Sequence, residues 1–590
     1  MKKIIGLLFL FISLNCFSQN DLALAERYYA DGQFEKATQL YKNLYNRNPN
    51  NTTYLKRLVS CYQETNQFET AKNLLINKMN TMPIFTYLNV ELGYNFEKQK
   101  QPKQATVYYD KAIASIDGTS GMGPYIAMLF KEKSLLDYAL LAYEKTMQKN
   151  PNTNYQFQIA QIYGEKGLFE KMFQSYIDLL GKNENFLSNI QRHISKYITE
   201  ESTNKNNILL RKIVIKKSMS NPKNSWNQLL SWLFIQQKDY EKAWIQNKAL
   251  YARNPKFITR ILNLGNITFD NKQFTVAKKC FQFIRDNSQF TDQKLYATLK
   301  LLHIQIENKL PEVEASFTTV LDTFGYNSAT LKIQLAFADY LTFHKGDSAK
   351  AIAILEKALQ VSKTKYEKGE VKLKLGEIYV FSGRFNKALI YFSQVQTSIK
   401  NHPLAQQARF KVAQTSFFKS DFKWAFAQLK VLKASTTQLI ANDALELFLI
   451  ISDNQSKDSL ETGLKLYAKA NLFAFQNKNE QAIDSFQKII VNFKGQKIED
   501  EALYKQGNLF VKVKKHQQAI DNFTKIIALN KDGIFVDDAL FQIAEIYRLQ
   551  LNNPEKASDY YQKIIFEHPS SIYLVASRKN YRKLRGDTIN

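Results

Sequence analysis

Apolar positions along this chain recur three and four residues apart, and the whole order then repeats. An alanine marks each repeat. Phe34-Glu-Lys-Ala37, Phe68-Glu-Thr-Ala71, Pro102-Lys-Gln-Ala105 and Leu136-Asp-Tyr-Ala139 set it 34 residues apart three times running. The step of 34 returns between Ala243 and Ala277. It lengthens to 37 from Ala351 through Ala388 to Ala425, and to 37 and 38 from Ala482 through Ala519 to Ala557. Twelve residues before most of these alanines stands a small residue with an aromatic three places on, as in Ala25 and Tyr28, Gly93 and Phe96, Gly376 and Tyr379, or Gly507 and Phe510. Four residues after the alanine comes a ring: Tyr41, Tyr109, Tyr143, Phe281, Phe392, Phe486, Phe523 or Tyr561. Such spacings keep each set on one helix face. Pro49, Pro83, Pro151, Pro255 and Pro569 then close units, because proline cannot continue the helical ladder. The pattern predicts pairs of helices, each pair burying its apolar face against the next.

This grammar resembles the tetratricopeptide-repeat (TPR) family, with a small residue and an aromatic on a first helix, then Ala, an aromatic and Pro on a second. The resemblance implies an all-α fold, an α-α superhelix (TPR solenoid) of about fifteen helix-pair repeats. We expect a 34-residue array over residues 19–290, an irregular helical join at 291–340 and a 37-residue array over 341–575. We expect irregularity at 430–470, where an extra helix spans Ala441 to Ser452, and a basic cap or tail at 576–590. A unit without its signature lies at 177–222. Later first helices open on acidic residues before Ala-Leu, as in Glu499-Asp-Glu-Ala-Leu503 and Asp537-Asp-Ala-Leu540. These repeats look like those of outer-membrane assembly scaffolds of Gram-negative bacteria, which implies an envelope location more than a task.

Composition agrees with helices. Only 20 Gly and 11 Pro occur in 590 residues, too few for a turn-rich β fold. Residues 1–18 read as a signal peptide: Lys2-Lys3, an apolar run from Ile4 to Leu14, and small residues at Cys16 and Ser18. Cleavage after Ser18 leaves Gln19 as the mature start and no transmembrane segment. The expected location is the periplasm, with peripheral outer-membrane association as an extension. Lipidation at Cys16 is the weaker alternative, because Ser13 and Asn15 depart from that pattern. The remaining cysteines, Cys61 and Cys280, are too far apart in sequence to form a disulfide framework and read as buried, inert thiols. The net charge is +27, or +25 once Lys2 and Lys3 are gone. An exported chain rarely meets nucleic acid, so no nucleic-acid partner is expected. Three readings of the charge stay open: anionic lipid headgroups, an acidic protein partner, or a lysine-rich habit of composition.

Candidate chemistry is scarce. The six histidines include no metal-ligand spacing, and no phosphate loop or nucleophile elbow occurs. The sequence therefore predicts no catalytic residues, no cofactor, no metal and no enzyme. The family's clamp for an acidic C-terminus is expected to be absent, because Glu26 and Glu91 fall at its positions beside Arg57. Binding is expected along the concave first-helix face, with Trp232, Tyr94 and Tyr29 as aromatic anchors for partner proteins. Trp226 and Trp244 accompany Trp232, and core packing is the competing reading of all three. Two basic clusters stand out: Arg211, Lys212, Lys216 and Lys217, and then Arg578, Lys579, Arg582, Lys583 and Arg585. A solvated cap is the ordinary reading of the second. The function expected is an exported scaffold for protein–protein interactions in an envelope assembly, secretion or maintenance complex. The alternative is a peripheral binder of anionic membrane or glycolipid surfaces.

Overall fold

The computed structural model describes residues 21–587 except 83, 119–120, 434–437 and 456–460. The leader, its cleavage site and Cys16 lie outside the described residues, as do Pro83, Thr119 and Ser120. The described residues form thirty-two α-helices and no strand, from α1 (residues 21–30) to α32 (Leu574–Leu584). In chain order they make fifteen helix pairs, with α25 (Gln438–Gln455) inserted after the twelfth and α32 closing the chain. This is the all-α solenoid that the periodicity predicts.

The connection inside a pair shows why few glycines suffice. Five residues before the ladder alanine the chain takes a left-handed turn: Gly32 before Ala37, Asn66 before Ala71, Lys100 before Ala105, Gly383 before Ala388. Lysine holds this conformation at Lys100, Lys238, Lys272, Lys309 and Lys514, although glycine adopts it with less strain. The fixed turn sets the register of the two helices, so the same faces meet in every pair.

Those faces are closely packed. Ala37, Ala71, Ala139, Ala243, Ala277, Ala388 and Ala519 have no exposed surface, and Ala105 has 2%. The small residue of the first helix makes room for the ring that follows the alanine. A Cβ on Gly93 would fall 2.3 Å from the Tyr109 ring, and one on Gly376 would fall 2.3 Å from Phe392. The glycines are therefore seats for aromatic rings, and each ring is held between the two helices of its own pair. Cys61 and Cys280 are buried free thiols, and burial pushes them up to about 11 and about 12.

Packing divides the described residues into two compact units, one up to Leu233 and one from Phe234 onward, inside α13 (Asn224–Gln236). The change of period lies elsewhere, at α17 (Thr291–Glu307) to α19 (Leu331–Tyr340). In the first unit the repeat weakens at α11 (Leu187–Ile194), only eight residues long, and α12 (Lys205–Ser220) packs on α10 (Phe169–Lys182). Trp226 fills the core there, fully buried, with its indole N–H donating to the Asn221 carbonyl at 2.8 Å.

In the second unit α25 does not extend the stack. It packs most extensively against the preceding second helix α24 (Phe422–Leu432), where Phe426 stacks on Phe448 at 4.4 Å, and it also touches the first helices α23 (Pro403–Phe418), α26 (Thr462–Phe475) and α28 (Lys497–Lys512). Ion pairs Glu446–Lys505 (2.8 Å) and Asp453–Lys497 (3.1 Å) tie it to α28. Beside it the ends of four first-helix segments converge. Phe343 lies 5.2 Å from Phe381 and 5.6 Å from Phe475, while Phe418 lies 6.1 Å from Phe475. The inserted helix thus covers part of the first-helix face of this unit.

Candidate functional site

In the first unit the first helices α1, α3 (Thr52–Glu64), α5 (Leu88–Lys98) and α7 (Met122–Glu132) present an open pocket of about 390 Å³. Its lining carries three cations, Lys56, Arg57 and Lys133, against Glu91 and Glu132, with Tyr29, Ser60 and Thr53 between them. Each cation sits over a tyrosine ring: Arg57 is 4.3 Å from the centre of Tyr29, Lys133 is 4.6 Å from Tyr94 and Lys56 is 5.5 Å from Tyr125. Such contacts contribute about 0.5–1 kcal/mol at exposed sites. They also hold long, flexible side chains in place, so less entropy is lost when an anion binds. Tyr29 is fixed in turn by a 2.7 Å hydrogen bond between its hydroxyl and Ser60 Oγ.

Glu91 differs from the sequence expectation. It does not face a ligand as a free charge; it is 2% exposed and paired with Lys133 Nζ at 2.8 Å. The pairing neutralises the carboxylate that was expected to repel an acidic chain. Glu132 is the other carboxylate of the lining.

The structure brings Tyr29 directly into this pocket and places Tyr94 behind it, under Lys133 and 5.8 Å from Lys98. The two tyrosines seat cations rather than offering bare ring faces. Trp232 is half-buried on α13, outside the pocket. Trp244 packs edge-on against Phe283 at 5.5 Å. Lys56, Ser60 and Lys133 were not singled out from the sequence. Lysine is common throughout this chain, and the contact that distinguishes Lys133 joins residues 39 apart, a spacing that marks no motif.

The basic clusters stand apart from the pocket. On α12, Lys217 pairs with Asp178 at 2.8 Å, while Lys212 and Lys216 are exposed and Arg211 is half-buried. Ile208 (42% exposed), Ile215 and Met219 (81%) share that outward face. On the final helix Arg578, Lys579, Arg582 and Lys583 are exposed, and Arg582 and Arg585, which follows the helix, pair with Asp587. Among the described residues no group of His, Cys, Asp or Glu is placed to hold a metal, and no helix is long and apolar enough to cross a membrane.

One part of the first-helix face of the second unit gathers carboxylates. Around Glu501 stand Glu446, Asp453 and Asp500, with Lys505 as the opposing cation. Burial, reinforced by these carboxylates, pushes the Glu501 carboxyl up to about 7.

Comparison with known proteins agrees with this architecture. Residues 28–77, which include α2 (Phe34–Arg47), α3 and most of α4 (Phe68–Thr81), match a family model described as tetratricopeptide repeat. Residues 538–571 match a second model of the same description. The chain therefore carries recognisable tetratricopeptide repeats near both ends. No curated protein matches its sequence. Among solved structures it is similar to Naa15/Naa10 bound to HypK-THB, at 11% identity over 96% of both chains and a TM-score of 0.28. It is also similar to the APC/C hetero-tetramer Cut9-Hcn1, at 14% identity over 96% of both chains and a TM-score of 0.23. At those scores the likeness carries no argument, and the fold rests on the chain's own helix pairs. The tetratricopeptide repeats support a protein-interaction role.

Proposed function

We propose that this scaffold is exported and holds partner proteins in an envelope assembly, secretion or maintenance complex. In this reading an acidic segment of a partner enters the first-unit pocket, and the chain has no catalytic role of its own. The observation that carries it is the set of three cations seated on Tyr29, Tyr94 and Tyr125. Repeats arranged to meet a partner along several pairs gain affinity from many contacts, and surface charge mainly speeds encounter. Lys2-Lys3, the apolar run and the small residues before Gln19 support export, and in this reading the mature chain works in the periplasm.

The test is capture from envelope extracts by the mature protein and by a Lys56→Glu, Arg57→Glu variant. Both side chains reach solvent, so the variant keeps its helical signal. Retention of the bound proteins is expected to fall at least about tenfold, equivalent to about 1.4 kcal/mol. Unchanged retention removes the pocket from the account.

A second reading rests on α12. Ile208, Ile215 and Met219 are exposed beside Lys212 and Lys216, the composition of a helix that lies on an anionic bilayer. Its signature is sedimentation with anionic vesicles that fails at moderate salt.

A further inference from the structure

The covered part of the second unit contains a built pocket. It holds about 280 Å³ between α23, α25, α26 and α28. Its walls are aromatic, formed by Phe410, Phe417, Phe418, Tyr467 and Phe475. Its rim carries Asp443 and Glu446 from α25. Lys505 also lines it, but is engaged with Glu446 at 2.8 Å.

Three independent observations point to what it holds. The first is chemistry. Aromatic faces and carboxylates together favour a cation on an apolar stem, because the rings attract the charge and also cover the stem. The second is a buried polar group: Tyr467, 1% exposed, is among the lining residues, and its hydroxyl has only the Asn471 side chain beside it and makes no full hydrogen bond. A buried hydroxyl left without a full hydrogen bond is destabilising, and a donor entering the pocket relieves it. The third is the field. Carboxylates gather here in a chain of net charge +27, and burial, reinforced by Glu446, Asp500 and Asp453, disfavours the charged form of Glu501 nearby.

We propose that this pocket, walled by the inserted helix α25, is a binding site for a lysine or arginine side chain of a basic, apolar segment of a partner protein. The volume suits a single long side chain and falls just below the usual range for small-molecule sites. The cationic head meets Asp443 and Glu446 at the rim and the stem lies along Phe410 and Phe418. Tyr467 accepts a hydrogen bond at the floor from whichever donor reaches it. The site stands on its own residues and does not rest on the first-unit pocket, whose test uses Lys56 and Arg57.

The test titrates acetyl-Leu-Arg-Leu-amide and acetyl-Leu-Gln-Leu-amide into the full chain and follows the peptides by ligand-observed NMR. The arginine peptide is expected to bind at least about fivefold more tightly, a difference typical of one charge-assisted contact near a surface. In an Asp443→Asn, Glu446→Gln variant the two peptides are expected to bind alike. Both changes lie on the exposed side of α25, so the fold is kept. Phe410→Ala is expected to weaken both peptides. A Glu480→Gln, Asp484→Asn variant removes exposed carboxylates from a second helix and is expected to keep the preference. Equal binding of the two peptides to the unaltered protein overturns the proposal. So does a preference that survives the Asp443 and Glu446 changes, or one that is lost equally with Glu480 and Asp484.

Discussion

Replacing Phe392 with alanine destabilises the helix pair that contains it by about 3–5 kcal/mol, the usual cost of deleting a fully buried ring. Phe392 has no exposed surface, and it occupies the space left by Gly376 across the pair of α21 (Lys365–Phe381) and α22 (Phe385–Ser398). The ring is large and its seat is specific, so no neighbour can move in to fill the void. Gly376→Ala is the converse: its Cβ would enter the ring at 2.3 Å, and overpacking of this kind costs about 1–3 kcal/mol. Combining Gly376→Ala with Phe392→Leu is expected to cost less than the sum of the two changes, because the smaller side chain yields space to the new methyl. Hydrogen exchange of the α21 and α22 amides reads the loss locally, which matters in a repeat protein whose units contact mainly their neighbours. Additive costs would mean that ring and glycine do not share a seat.

Lys133→Met is expected to cost about 3–5 kcal/mol, because it strands the buried carboxylate of Glu91. Removing both charges is gentler than removing one. Glu91→Gln with Lys133→Met is expected to recover most of the loss, since no uncompensated charge remains inside. The measurement is urea denaturation of the three variants beside the unaltered protein. A Lys133→Met variant as stable as its parent would show that Glu91 is better solvated than its 2% exposure indicates.

These two predictions draw on different levels of legibility. The Phe392 seat could be read in the sequence, because Gly376 and Phe392 recur at the same offset in unit after unit, as Gly93 with Tyr109 and Gly507 with Phe523. Periodicity reports local geometry well, and stacked pairs have little else. The Glu91–Lys133 pair could not be read. It joins residues 42 apart on different pairs, and both types are abundant on solvated helix faces. The left-handed turns were hidden for a related reason: lysine occupies a position where glycine is the familiar signal. The extra helix near 441–452 was visible as an apolar run between repeats, and the structure gives it bounds of Gln438–Gln455. That it also reaches the first helices α23, α26 and α28, besides packing on α24, follows from contacts that no spacing encodes.

The candidate anchors divide in the same way. Tyr29 and Tyr94 were singled out by repeat register, and both belong to the first-unit site. Their role is set by Arg57 and Lys133, which arrive from the neighbouring pairs. Trp226 shows the limit of composition: three tryptophans in one unit drew attention, and this one is core. Charge misleads most. A sum of +27 averages a first-unit pocket rich in cations with a second-unit face whose carboxylates crowd one another.

The account's central claim is that partners are held on the first helices of the first unit. Site-specific photocrosslinking in the native cells tests it most directly. A photoreactive residue replaces Thr53 or Arg57 on α3, and in parallel Asn43 on α2 (Phe34–Arg47) or Lys103 on α6 (Pro102–Ala114), all four exposed. The account predicts adducts with other proteins from Thr53 and Arg57 and background levels from Asn43 and Lys103. Adducts in equal amount from both sets, or only from the second helices, would contradict it.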